Sequence, residues 1–196
     1  MFDSDITITG KHAIYIKYLA KEKDKDKNKD AINKVQLFER YIDVYMCGAI
    51  VGALNKKTSQ PDRSSSDRAR IYADVLNREY VKCKEIFKTV ILCDTSKNWT
   101  SEEKANICFR YRDKADDNAT PPVTPEEIAK MKEAMDLFNS YAFCGIELLF
   151  DKFNQQGGVD DMVTIERAFD DLKQQKAYID SLTGNLDDAD FFEPEY

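Results

Sequence analysis

Apolar residues recur at helical spacing along most of this chain. Between Asp30 and Asn55 they form two stripes, each with a spacing of three to four residues. A helix that is apolar on two sides is usually buried between neighbouring elements. The pattern therefore predicts a long central helix over residues 30–55.

The same spacing predicts five further helices. They cover Lys11–Lys21, about Ser66–Cys93, a segment that opens after Thr100, the segment from Thr124 to Phe153, and about Asp160–Leu182. The helix over 66–93 has a heptad-like apolar seam. Its members are Ala69, Tyr72, Leu76, Tyr80, Cys83, Phe87 and Val90. Ahead of the first helix, Ile6 and Ile8 alternate with threonines, which indicates an extended lead-in or a single strand.

Two short motifs mark the beginnings of helices. Thr100 is followed three residues later by Glu103, which is the spacing of a capping box. Thr124 precedes Pro125 and has Glu127 at the same distance. We therefore expect Thr124 as the N-cap and Pro125 as the first helical residue.

Two segments resemble each other and identify the centre of the fold. Each has the pattern Leu-Phe-x-x-Tyr, at 37–41 and 137–141, followed by an apolar Cys-Gly step at 47–48 and 144–145. The two gaps differ by three residues, about one helical turn. Glycine costs a helix roughly 1 kcal/mol relative to alanine, so the Gly48-x-x-x-Gly52 spacing indicates close approach by another backbone. We expect the two helices to pack on each other.

Together these patterns predict an all-α fold. The scarcity of glycine (7) and proline (5) favours long elements over many tight turns. We expect a single-domain bundle of about six helices over residues 1–185, with a short extended N-terminal lead-in. Mobile loops are expected at about 21–30, 56–66 and 113–123, and a disordered acidic aromatic tail at 186–196.

The net charge of −7 is concentrated in the tail. Five of the 36 acidic residues lie within 186–196, so the remaining 31 nearly balance the 29 basic residues. A neutral body lacks the overall basic charge typical of nucleic-acid-binding proteins, although a local basic face can still bind. The tail combines carboxylates with aromatic side chains, which suits a docking peptide that orders on a basic, grooved partner. The alternative is a solubilising tail. The candidate docking residues are Asp187, Asp188, Asp190, Phe191, Phe192 and Tyr196.

The five cysteines indicate a reducing compartment. Their number is odd, no pair has Cys-x-x-Cys spacing, and four lie on apolar helix faces while Cys93 lies at a helix end. No signal peptide is recognisable at the start of the sequence. The longest uncharged apolar run, Val44–Leu54, is too short to span a bilayer. We expect a cytoplasmic protein without membrane contact.

The usual catalytic motifs are missing from the sequence. His12 is the only histidine, and we expect it on the surface or in a capping role of a poorly buried helix. Neither a glycine-rich phosphate loop nor a Gly-x-Ser-x-Gly motif is present. A di-metal bundle needs Glu-x-x-His pairs, which the sequence does not contain. These observations predict no enzyme activity, no cofactor and no metal.

A carboxylate within an apolar helix needs an explanation. Glu147 interrupts the apolar run of the second Cys-Gly helix, and an unpaired buried carboxylate costs several kcal/mol. We expect a buried ion pair between Arg40 and Glu147, or exposure of Glu147. An acid–base or metal-binding carboxylate site at Glu147 is the alternative.

Basic and aromatic residues alternate on two predicted helices. They can follow a phosphate backbone and stack a base, whereas the simpler interpretation is a solvated helix face. The candidate nucleic-acid contacts are Lys82, Lys84, Lys88, Lys104, Arg110, Tyr111, Arg112 and Lys114.

Three functional hypotheses follow from the sequence. The first is a non-enzymatic helical interaction and assembly subunit of an intracellular multiprotein complex, which self-associates or binds a protein partner. The second is a nucleic-acid-binding accessory protein that uses the basic-aromatic faces. The third is a carboxylate-based enzyme.

Overall fold

The computed structural model of the chain describes residues 1–20, 37–114 and 122–154. In these ranges it contains six α-helices and one two-stranded sheet, which confirms the predicted helical fold. In chain order the elements are β1 (Ile6–Thr9), α1 (Gly10–Leu19), α2 (Tyr41–Leu54), β2 (Arg68–Ile71), α3 (Ala73–Arg78), α4 (Tyr80–Cys93), α5 (Ser101–Phe109) and α6 (Pro125–Asn154).

Several sequence predictions lie outside the described residues. They are the loop at 21–30, the first part of the helix predicted over 30–55, the centre of the loop at 113–123, the helix over 160–182 and the segment 186–196.

Helices α2 and α6 pack on each other with their backbones in contact. A Cβ atom placed on Gly145 would overlap the carbonyl oxygen of Gly48, and one placed on Gly52 would overlap the carbonyl oxygen of Tyr141. Only glycine leaves room for this approach. The prediction that the two Cys-Gly helices pack together is therefore confirmed.

One aromatic side chain of α6 connects the core to three other parts of the chain. The ring of Phe138 is fully buried, and its centroid lies 6.0 Å from that of Phe2, 5.8 Å from that of Tyr45 and 5.6 Å from that of Phe87. Such tilted and edge-to-face pairs add to the gain from burial. The N-terminal segment, α2 and α4 therefore all converge on α6.

The prediction of a helix over residues 66–93 is wrong in its first part. Residues Arg68–Ile71 form β2, which pairs antiparallel with β1, so that Ile6 lies opposite Ile71 and Thr9 opposite Arg68. Along β2 the side chains alternate between exposed arginines and buried Ala69 and Ile71. This alternation is the pattern of a strand that buries one face. The strand contacts α1 and α2.

The rest of that predicted helix is split. The backbone leaves α-helical geometry at Glu79, with φ of −100° and ψ of 13°, and separates α3 from α4. Two residues expected in the apolar seam, Tyr72 and Tyr80, are exposed, and the other five are buried. The buried members are Ala69, Leu76, Cys83, Phe87 and Val90. The seven-residue spacing of the core contacts therefore continues across the break, although the helix does not.

The first central helix begins later than its apolar pattern predicted. α2 starts at Tyr41, and the extended backbone of Arg40 precedes it. Phe38 lies outside the helix and donates its backbone N–H to the carbonyl of Leu19 over 3.0 Å. The Leu-Phe-x-x-Tyr pattern is therefore helical at 137–141 but extended at the beginning of 37–41.

Both predicted capping boxes are confirmed. The Thr100 hydroxyl accepts a hydrogen bond from the Glu103 backbone, and the Glu103 carboxylate accepts one from the Thr100 backbone. The same pair of bonds joins Thr124 and Glu127 at the beginning of α6, each over 3.2 Å. They satisfy backbone N–H groups that a helix start leaves free.

Residues 56–66 form no helix or strand, but they are tied to the bundle at two points. The Ser59 backbone N–H donates to the Ser140 carbonyl over 2.9 Å. The Asp62 carboxylate accepts the backbone N–H of Lys11 over 2.6 Å, next to Gly10, whose φ of 63° is one that glycine adopts readily. Within the part of the chain that the structure describes, no helix is long and apolar enough to cross a bilayer.

Candidate functional site

The structure brings five of the eight predicted nucleic-acid contacts to one concavity. Lys84 and Lys88 project from α4, while Tyr111, Arg112 and Lys114 follow α5. We call this concavity, of about 310 Å³, the α4–α5 cleft. Its other lining residues are Met1, Tyr80, Phe87, Ile107, Cys108, Phe109, Asp113 and Met131.

The cleft has an apolar floor and an aromatic rim. Phe87, Ile107 and Met131 are buried core residues whose side chains close the bottom. At the rim the rings of Tyr80 and Phe109 are exposed, with 64% of Phe109 accessible. The lining of the cleft therefore combines buried apolar side chains with charged ones, whereas ligand sites are more often mainly apolar with a few polar groups.

The charge of the cleft lining is positive. Four basic side chains and one carboxylate, that of Asp113, line it. The ammonium group of Lys84 lies 5.9 Å from the centre of the Tyr80 ring, and no carboxylate of the described residues pairs with it. Lys88 lies 5.1 Å from the Phe109 ring and also pairs with Glu85 over 2.7 Å. Lys84 therefore keeps hydrogen-bond donors for a ligand.

The other three predicted contacts do not line the cleft. Lys82 forms an ion pair with Glu79 over 2.9 Å. Lys104 donates to backbone carbonyls at the end of α4, a common way to satisfy a helix C-terminus. Arg110 donates to the Asn106 side chain over 2.9 Å.

The predicted ion pair between Arg40 and Glu147 is not formed. Arg40 instead bonds Asp43 over 2.8 Å and Glu79 over 2.9 Å. Both partners lie on or next to the start of a helix, so Arg40 connects α2 to the α3–α4 break. Glu147 has a different set of partners.

One carboxylate oxygen of Glu147 accepts three hydrogen bonds. The donors are Lys11 Nζ at 3.0 Å, His12 Nε2 at 2.7 Å and Ser59 Oγ at 2.6 Å. Burial acts to raise the pKa of Glu147, but the bonds from Ser59, Lys11 and His12 outweigh burial and hold the pKa below its usual value. The carboxylate therefore stays ionised and joins α1, the 56–66 segment and α6.

The expectation of a surface or capping role for His12 is wrong, because the side chain is fully buried. Its ring stacks on Phe143 with centroids 4.8 Å apart, and Nδ1 accepts the Asp62 backbone N–H at 3.4 Å. Nδ1 therefore carries a lone pair and Nε2 carries the proton. Burial lowers the pKa of His12, although the bond to Glu147 acts to raise it. The spacing of His12 with Ile16 and Leu19 is the sequence signal that places it on the buried face.

This arrangement does not form a nucleophile–base pair. Ser59 and His12 both donate to Glu147 rather than to each other, and both nitrogens of His12 are occupied. A general base must instead accept the proton of the nucleophile within hydrogen-bond reach. The geometry suits a structural junction.

A second buried polar junction has no clear signal in the sequence. The Tyr141 hydroxyl donates to the Asp94 carboxylate over 2.5 Å, and Asp94 is only 2% exposed. The Asp94 carboxylate also accepts the backbone N–H groups of Ser96 and Lys97, each over 3.1 Å. Burial acts to raise the pKa of Asp94, but bonds from Ser96, Tyr141 and Lys97 lower it overall. The junction fixes the turn after α4 against α6.

A second cavity, of about 630 Å³, lies between residues 58–61, 96–97 and α6. Its one basic lining residue, Lys97, is paired with Glu133 over 2.9 Å. The cavity therefore lacks the free cation that the α4–α5 cleft has in Lys84. Among the described residues, no group of three His, Cys, Asp or Glu side chains converges to hold a metal ion.

The predicted docking residues of the tail cannot be placed relative to the cleft. Asp187, Asp188, Asp190, Phe191, Phe192 and Tyr196 lie outside the described residues. Their interpretation as a docking segment stays a prediction.

Comparison with known proteins gives no assignment. No protein-family model matches this sequence, and no match was found among curated proteins or solved structures.

Proposed function

We propose that the protein is a non-enzymatic helical interaction subunit of an intracellular assembly, and that it binds its partner through the α4–α5 cleft. The observation that carries this proposal is the position of exposed Tyr80 and Phe109 beside four basic side chains, above an apolar floor. Aromatic residues and arginine are enriched where proteins bind each other, in contacts that exclude water.

The two polar junctions support a structural role for their carboxylates rather than catalysis. One carboxylate oxygen of Glu147 accepts bonds from Lys11, His12 and Ser59, and the Asp94 carboxylate accepts bonds from Tyr141, Ser96 and Lys97. The unpaired cysteines support the intracellular part of the proposal, since all five thiols are free of disulfides.

Site-specific photo-crosslinking tests the proposal. A photoreactive amino acid replaces Phe109 in the full chain, and the matched control replaces Leu54 on α2, which is 72% exposed and does not line the cleft. We expect a discrete protein-sized adduct from position 109 in cells and none from position 54. An absence of any adduct at position 109, or equal adducts at both positions, would overturn the proposal.

A second candidate function is binding of single-stranded nucleic acid. The specific observation in its favour is that Lys84, Lys88, Tyr111, Arg112 and Lys114 share one concavity. Basic side chains can contact phosphates while exposed rings stack bases.

The structure supplies a matched pair of variants for this candidate. Arg112 lines the cleft, whereas Arg110 bonds Asn106 outside it. If nucleic acid binds here, Arg112→Ala weakens retention of a labelled single-stranded oligonucleotide at low salt and Arg110→Ala does not. Equal behaviour of the two variants, or no binding at low salt, removes this candidate.

A further inference from the structure

We infer that the α4–α5 cleft binds the acidic aromatic segment 186–196 of a second copy of this chain. The inference rests on the proposed function and specifies a second copy of the chain as the protein partner. The segment itself lies outside the described residues.

The cleft and the segment are complementary in charge. The segment contains five carboxylates among eleven residues, while the cleft lining contains four basic side chains and one carboxylate. Two of the basic side chains, Lys88 and Lys114, are paired with Glu85 and Asp3. Lys84 has no acidic partner among the described residues, and its stem is half-buried at the cleft. A carboxylate that meets Lys84 there forms a charge-assisted hydrogen bond with reduced competition from water.

The cleft and the segment are also complementary in apolar surface. Phe191 and Phe192 follow Asp190 directly, so aromatic rings and a carboxylate can be presented together. Phe87, Ile107 and Met131 provide an apolar floor for a ring, and Phe109 provides an exposed edge to stack against. Burial of one phenylalanine side chain contributes to binding where charge alone would be screened by salt.

The apolar floor favours a peptide over nucleic acid. The polar edges of a base that entered the cleft would face the apolar side chains of Phe87, Ile107 and Met131, which cannot form hydrogen bonds with them. A phosphate backbone along the rim would also meet the Glu85 and Asp113 carboxylates. A phenylalanine side chain has no polar edge to desolvate.

Analytical ultracentrifugation of the full chain at low salt tests this inference. The wild-type protein is expected to self-associate with increasing concentration. Lys84→Glu on one surface, and Phe191→Ser with Phe192→Ser on the other, each weaken association at least about tenfold. The matched control is Lys82→Glu, which makes the same charge change on α4 but outside the cleft and leaves association unchanged.

Mixing the two defective proteins provides the decisive measurement. The Lys84→Glu protein keeps an intact segment and the Phe191→Ser/Phe192→Ser protein keeps an intact cleft, so their mixture regains association that neither shows alone. This result does not depend on either variant having wild-type stability. Three results would overturn the inference. The wild-type protein remains monomeric at every concentration, its association is unchanged by the variants on both surfaces, or the mixture does not regain association.

Two outcomes separate this inference from the proposed function. Monomeric wild-type protein that still forms a protein adduct through position 109 means that another protein occupies the cleft. Loss of oligonucleotide binding in Lys84→Glu, with no self-association in the wild type, means that the occupant is nucleic acid. Both outcomes overturn the inference, and only the second also counts against the proposed function.

Discussion

Gly145 of α6 lies against the backbone of Gly48 on α2, so closely that neither position has room for a side chain. A Cβ atom on Gly48 would lie 2.8 Å from the carbonyl oxygen of Ala142, and one on Gly145 would overlap Gly48 itself. Real Cβ atoms essentially never come within 3.0 Å of such a neighbour. The distance between the two central helices is therefore set by a pair of glycines.

Gly145→Ala is expected to destabilise the protein despite its higher helix propensity. Overpacking against backbone costs about 1–3 kcal/mol or more, and this exceeds the gain of about 1 kcal/mol from replacing glycine in a helix. Urea denaturation measures the change in the free energy of unfolding. The control is Ala129→Gly on the exposed face of α6, where only the propensity loss of about 1 kcal/mol applies. A Gly145→Ala protein as stable as the wild type would contradict the packing described here.

Features specified by nearby residues could be predicted from the sequence. Thr124 and Glu127 lie three residues apart, so the start of α6 depends on local chemistry alone. The glycine spacing on α2 indicated close approach because glycine is costly in a helix without that benefit. Five of the residues predicted as nucleic-acid contacts line the α4–α5 cleft, and their contact with a ligand stays a prediction.

Features specified by distant residues could not be predicted in this way. Strand β2 exists because Ile71 pairs with Ile6, 65 positions earlier, and its short alternation also fits a helical seam. His12 and Glu147 lie 135 positions apart, so neither sequence neighbourhood shows that the two side chains form a hydrogen bond. Local periodicity gives the face of an element, whereas the partner on that face depends on the whole fold.

Tyr141→Phe is expected to cost more stability than Tyr45→Phe. Both hydroxyls belong to buried tyrosines on the central helices, but Tyr141 donates to the ionised carboxylate of Asp94 and Tyr45 to the neutral side chain of Asn139. A hydrogen bond to a charged group contributes about 1.5–3 kcal/mol, against about 0.5–1.5 kcal/mol for a neutral pair. Denaturation at neutral pH compares the two variants directly. Equal losses would mean that the bond from Tyr141 to Asp94 contributes no more stability than the bond from Tyr45 to Asn139.

Cys93 is expected to be the only rapidly reacting thiol in the native protein. It is exposed at the end of α4, whereas Cys83, Cys108 and Cys144 are buried and Cys47 is half-buried. Burial raises the pKa of all four of these thiols, to about 11 for Cys83 and Cys108. Since the thiolate is the reactive form, buried thiols with raised pKa values react slowly. A chromogenic disulfide reagent should show one fast equivalent in native protein and five in denaturant. Cys93→Ser should abolish the fast phase, and its survival would place another cysteine at the surface.

The stability of the protein should fall as the pH is lowered through the ordinary pKa of histidine. Burial lowers the pKa of His12 below the unfolded value of 6.5, so below that pH the unfolded chain binds a proton that the folded protein does not. The free energy of unfolding then decreases with falling pH, by at most about 1.4 kcal/mol per pH unit, until the folded pKa is reached. The Glu147 contribution remains complete above 4.5, the ordinary pKa of that carboxyl group, because its folded pKa is lowered.

His12→Gln separates this effect from the titration of other groups. Glutamine keeps an N–H donor for Glu147 but has no proton to gain near neutral pH, so the His12 contribution to the pH dependence is removed. Burial also lowers the pKa of the N-terminal amine below 8.0, and this group still reduces the stability of the variant as the pH falls. The wild-type protein should therefore lose more stability than the variant between about pH 7.5 and 5.5. Because His12 is the only histidine, the wild-type imidazole signals in a proton NMR titration report the same pKa without any variant. Imidazole signals that shift with a midpoint at or above 6.5 would show that His12 is not held neutral by the fold.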